Sequence, residues 1–176
     1  AEALSAKGQG DQAQAIYDHL RGLKAAPQQV RAGATRGAIL VRGKDGIPLM
    51  IEAIRGSDYV LTAVAARAAI ELPGAEVTAA LAAELSKLPA DTQVLLVNTL
   101  GYRGDASAGP ALLALAVKAP DAVRLAAVKN LTHLRHSPVL PMLAELSLGA
   151  EGELAATARA CLGSFPDKKA DAIIVD

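Results

Sequence analysis

Two histidines, His133 and His136, stand three residues apart, and the chain's single cysteine, Cys161, lies further on. A histidine pair at that spacing could give two ligands to a metal ion, but a site needs a third or fourth donor nearby. Leu131, Leu134 and Arg135 offer none, and the Arg135 cation would oppose a metal, so the pair reads as a solvated helix end. His19 is isolated and reads as a surface residue. A catalytic thiol wants an adjacent base and an open, electropositive setting. Cys161 has Ala158, Arg159 and Leu162 near it in sequence but no histidine, so it reads as a buried structural thiol. No serine or threonine sits in a nucleophile elbow, and the glycines lack the spacing of a phosphate-binding loop. Asp167, Asp171 and Asp176 alternate with Lys168 and Lys169, as in a solvated turn and helix start. No catalytic residue, metal site or cofactor is expected, and the chain reads as a non-enzyme.

Composition narrows the class further. Apolar residues make up 52% of the 176, with three Tyr, one Phe and no Trp. A core so poor in aromatics suits closely packed helices, and Ala and Leu are strong helix formers. Lysine plus arginine balances aspartate plus glutamate at 18 each. A neutral chain has no long-range field to attract phosphates, so nucleic acid is not an expected partner. No apolar run is long enough to span a membrane. One cysteine leaves both cytoplasm and periplasm open. The chain starts at Ala1 without Met and shows no basic-then-apolar signal, which reads as a piece of a larger protein.

The elements that would position any site emerge from a repeat of 31 residues. Stepping by 31 from Ala34 gives Ala65, Leu96, Ala127 and Ala158. The same step from Ala38 gives Ala69, Leu100, Leu131 and Leu162, and from Met50 gives Leu81, Leu112, Leu143 and Ile174. The column from Val30 runs through Leu61, Thr92, Val123 and Leu154. Within one unit, Val30, Ala34, Ala38 and Val41 mark one face of a helix. The pattern predicts long helices near 28–41, 59–72, 90–103, 121–134 and 152–164. Shorter ones are predicted near 47–55, 76–87, 108–118 and 139–148, with turns at Gly43–Gly46, Pro73–Gly74 and Gly104–Asp105. Glu52, Glu84 and Glu145 on the short helices are expected in an outer layer. Pro27, Pro89 and Pro120 share one column at the starts of long helices, where a missing N–H is harmless. Asp58 fills that column too, with Ser57 as the expected cap. Asp11–Leu23 reads as a further short helix with a capping box at Asp11 and Gln14. Ala170–Val175 repeats the short-helix pattern.

Val123–Leu131 (VRLAAVKNL), followed by Pro141-Met142-Leu143, resembles the short HEAT repeat of bacterial proteins, the phycobilisome-lyase-like variant. Thr99–Asp105 (TLGYRGD), followed by Pro110-Ala111-Leu112-Leu113, is similar to the same repeat. The resemblance covers 27–176, about five repeats. Residues 1–26 match more weakly and could equally close a tetratricopeptide-type hairpin. It implies a single all-α domain over 1–176: a right-handed α–α superhelix, a HEAT-like α-solenoid of helical hairpins. It also implies a protein–protein interaction scaffold that binds along its concave face, the partner being another protein or other domains of the same chain. An alternative within the family is an enzyme-associated module holding a small or pigment-like ligand. No catalytic residues carry over.

In that register Arg36, Arg67, Asn98, Lys129 and Ala160 form one column of the long helices, and Leu40, Glu71, Tyr102, His133 and Ser164 the column four residues later. Both lie away from the apolar stripe. They predict a polar strip on the concave face, with Arg36, Arg67, Glu71, Asn98, Tyr102, Lys129 and His133 as binding residues for an acidic peptide or anionic ligand. Arg31, Thr62, Gln93, Arg124 and Ala155 form another column, at the position where the resemblance to HEAT repeats implies an arginine that bonds to neighbouring repeats, so it reads as structural.

Overall fold

The computed structural model describes residues 1–149 and 152–165. The pattern at Ala170–Val175 and the acidic cluster Asp167, Asp171 and Asp176 lie outside the described residues. The described residues are all-helical, with no strand among them. The chain divides into two compact units, Ala1–Leu81 and Ala82–Asp176.

The first unit holds α1 (Glu2–Ala6), α2 (Gly10–Gly22), α3 (Gln28–Arg42), α4 (Ile47–Arg55), α5 (Tyr59–Glu71) and the start of α6 (Ala75–Glu84). In it α2 packs on α3, α3 on α5 and α4 on α5. The second unit holds α7 (Ala90–Arg103), α8 (Gly109–Lys118), α9 (Asp121–His133), α10 (Leu140–Gly149) and α11 (Glu153–Ser164). There α9 packs on both α7 and α11, α8 packs on α9, and α10 on α11. In both units long helices neighbour one another, and a short helix packs on the long helix that follows it.

The columns of small and branched residues explain this packing. Ala34, Ala38, Ala65 and Ala69 are buried in the first unit, and Leu96, Leu100, Ala127, Leu131, Ala158 and Leu162 in the second. Alanine on a shared face lets helix backbones approach, while leucine fills the wider gaps. Met50, Leu81, Leu112 and Leu143 are fully buried from the short helices. The column from Val30 is less uniform: Val123 is buried, but Val30 itself is exposed.

Helix starts follow local chemistry. Pro27, Pro89 and Pro120 stand at the residue before α3, α7 and α9, outside the first turn. Their backbones are extended, with ψ of 145°, 154° and 153°. Their carbonyls accept the first helical N–H groups, such as Arg31, Gln93 and Arg124. Asp58, and not Ser57, caps α5: its Oδ1 accepts from the N–H of Val60 at 3.0 Å and Leu61 at 3.4 Å. Such a cap stabilises a helix by about 1 kcal/mol. The capping box at Asp11 does not form, because α2 begins at Gly10 and Asp11 already lies inside it. The short helix expected over 76–87 is α6 plus a 3-10 turn, Leu85–Lys87. Glu84 in it is buried and receives a hydrogen bond from Lys87 at 2.9 Å, which corrects the expectation of an outer position.

The Arg31 column is structural, as expected, for three of its members. Thr62 Oγ1 donates to the carbonyl of Ala53 at 3.3 Å, and Arg124 Nε to that of Ala116 at 3.1 Å. Gln93 Nε2 donates to the carbonyl of Leu88 at 3.0 Å. Ala53 and Ala116 lie in last turns of short helices, whose carbonyls have no partner within the helix. The side chains therefore tie each long helix to the segment before it.

Candidate binding site

The first unit brings three of the predicted strip residues together. Arg36 on α3 grips Glu71 on α5 through two hydrogen bonds, Nε to Oε1 at 3.1 Å and Nη2 to Oε2. Two parallel N–H···O bonds make this a fork-to-fork pair, the stronger kind of ion pair. Arg67, one turn before Glu71 on α5, places its Nε 3.7 Å from Glu71 Oε1. The Glu71 carboxylate thus lies between a cation from each helix. Beside Arg36, the Tyr17 ring covers Gly37 so closely that a Cβ there would overlap it. Burial pushes the Tyr17 hydroxyl up from its ordinary range; the Glu2 charge adds to this and Arg36 opposes it.

The second unit gathers the other four. Asn98 and Tyr102 from α7, with Lys129 and His133 from α9, line an open hollow of about 390 Å³ together with Gly101 and Asn130. The same unit supplies its floor. Asn130 Nδ2 donates to Asn98 Oδ1 at 3.0 Å and to the carbonyl of Ala126 at 2.8 Å. Its carboxamide lies against Gly101, where a Cβ would overlap the Asn130 Oδ1. Asn98, Lys129 and His133 are exposed, and Tyr102 is 79% exposed. Lys129 Nζ lies 4.0 Å from Glu153 on α11, both side chains being more than half exposed.

Sequence reasoning missed Asn130 and Gly101 as parts of this site. Asn130 stood only as a residue of the VRLAAVKNL stretch, and Gly101 only as one of TLGYRGD. The signal that could have found them is their pairing: a glycine on one long helix and a carboxamide 29 positions on, on the next.

The histidines separate. His133 is exposed in the hollow, whereas the His136 ring lies over Gly109, where a Cβ would overlap it. Among the described residues no group of three or more His, Cys, Asp or Glu is placed to hold a metal ion. Cys161 is buried. Among the described residues no helix is long and apolar enough to cross a membrane.

Fold and hollow together define an all-helical protein whose candidate site is a polar surface contributed by adjacent long helices. No protein-family model matches the chain, and no curated protein is significantly similar to it.

Proposed function

We propose that this chain is a non-catalytic protein–protein interaction scaffold, built as a HEAT-like α-solenoid of the short bacterial kind. In this reading the hairpins repeat every 31 residues and wind as a right-handed superhelix, and the polar strip of the long helices lies on its concave face. The mechanism is shape: each repeat buries its faces on its neighbours, and the stack offers an extended surface. The long helices begin at Gln28, Tyr59, Ala90, Asp121 and Glu153, which supports the register. The observation that carries the functional reading is the convergence of Asn98, Tyr102, Lys129 and His133 on one open hollow. A partner, or another domain of the same chain, lies along this strip.

The test is charge reversal. Arg67→Glu with Lys129→Glu should abolish association with a partner recovered by the unaltered chain, while the far-ultraviolet circular dichroism stays helical. Both side chains are more than half exposed, so folding should not suffer. A partner that binds the reversed chain unchanged removes the strip as its site.

A further inference from the structure

We infer that the hollow between α7 and α9 seats a carboxylate from an acidic segment of the protein partner; this rests on the scaffold reading above. The first unit holds the argument in its own side chains. Arg36, Arg67 and Glu71 occupy the same register positions as Asn98, Lys129 and His133, each 62 residues on. In the first unit the third position is a carboxylate, and it lies between groups from both helices. In the second, the third position is an imidazole and the carboxylate has to come from elsewhere.

The donors of the second unit are arranged for such a group. Asn98 accepts through its Oδ1 from Asn130, so its own amide N–H groups are what it offers to a ligand. Lys129 brings a full positive charge from α9, and none of the six residues lining the hollow is acidic. Its neighbour Glu153, at 4.0 Å and largely exposed, competes weakly, since exposed ion pairs are worth little. Tyr102 adds an exposed aromatic face on which the aliphatic part of a glutamate side chain can rest. One lysine with amide and phenol donors matches a single negative charge. The net charge of zero offers no wider field that would draw a dianion or a polyanion.

The experiment uses the full chain labelled with ¹⁵N. It is titrated with the capped peptide acetyl-Ala-Glu-Ala-amide, with its glutamine counterpart and with inorganic phosphate. Saturable shifts are expected at the side-chain amides of Asn98 and Asn130 and the backbone amide of Gly101. The acidic peptide should bind about tenfold or more tightly than the glutamine peptide, and about tenfold more weakly to Lys129→Gln. His133→Glu should restore the pattern of the first unit, fill the hollow from within and abolish peptide binding with no loss of thermal stability. Equal response to the glutamine peptide, unchanged affinity in Lys129→Gln, or tighter binding of inorganic phosphate would overturn the inference. If no acidic peptide binds while a partner still depends on Arg67 and Lys129, the carboxylate is wrong and the scaffold stands. If the partner ignores both charges, the scaffold's site is wrong as well.

Discussion

Asn130 on α9 reaches across to α7 and donates from Nδ2 to Asn98 Oδ1 at 3.0 Å, and it can do so because Gly101 has no side chain. The two carboxamides thereby fix which face of Asn98 is left for a ligand. Gly101 lies in the last turn of α7, still inside the helix, where alanine is normally favoured over glycine by up to about 1 kcal/mol.

Gly101→Ala should therefore separate stability from site geometry. The new Cβ would displace the Asn130 carboxamide, while propensity offsets the lost bond, so the change in unfolding free energy should stay within about 1 kcal/mol. The side-chain amide resonances of Asn98 and Asn130 should both move, and partner binding should fall. Retained side-chain shifts with retained binding would show that the hollow does not depend on this contact.

Arg124 and Lys129 lie five residues apart on the same helix, on different faces, and should behave oppositely. Arg124 Nε holds the carbonyl of Ala116, and its side chain is three-quarters buried. Arg124→Ala should lower stability by about 1–2 kcal/mol in urea unfolding, through the lost bond and lost packing of its stem. Lys129→Ala should change it by less than about 0.5 kcal/mol, as for an exposed surface position. Equal effects would contradict the division between structural and binding columns.

Arg135 has φ of +55°, in the left-handed region that disfavours a side chain. It closes α9: its N–H donates to the Thr132 carbonyl, and that of His136 to the Leu131 carbonyl, both at 3.0 Å. This is the paired-bond helix ending that usually selects glycine. Gly104, one repeat earlier, takes the same conformation with φ of +68°. Arg135→Gly should raise stability by about 1 kcal/mol, seen as a higher thermal midpoint. A lower midpoint would mean that the arginine side chain makes a contact outweighing its backbone strain.

Asp18 joins α2 to α3 by accepting from Arg21 on its own helix and from Arg42. Burial pushes its carboxyl up, but hydrogen bonds from Arg21 and Arg42, and then their charges, outweigh it and hold the carboxyl below the ordinary aspartate range. A depressed folded value contributes stability above the unfolded value, lost as pH falls through the folded one. Asp18→Asn should thus be less stable than the parent at neutral pH, with the gap closing on acidification below the ordinary aspartate range. The side chain is about one-third exposed, so the gap should be modest. Urea unfolding across acidic pH checks this, and a gap independent of pH would contradict it.

Local chemistry explains why the helices were legible in the sequence. Proline at positions 27, 89 and 120 and aspartate at 58 mark helix starts without reference to anything distant. The buried columns of Ala34, Ala38 and Met50 follow from side chains that must leave water together. The strip residues were legible as types in register, and the second unit does bring four of them to one hollow. What they touch was not legible. Glu71 accepts from Arg36, one repeat plus one turn away, so part of the cationic strip is engaged within the chain. Asn130 gains its role from a missing side chain on another helix, and no single-helix pattern carries that. The capping box at Asp11 failed because α2 begins one residue earlier, at Gly10, which puts Asp11 inside the first turn instead of at the cap.

The most direct test of the central claim places a photo-crosslinking residue at Tyr102, in the hollow, or at Leu148, which is 89% exposed on α10. The strip should capture a partner from position 102 and not from position 148, and Lys129→Glu should abolish that capture. A partner captured from 148 alone, or from 102 regardless of Lys129, would contradict the assignment of the long-helix strip as the binding surface.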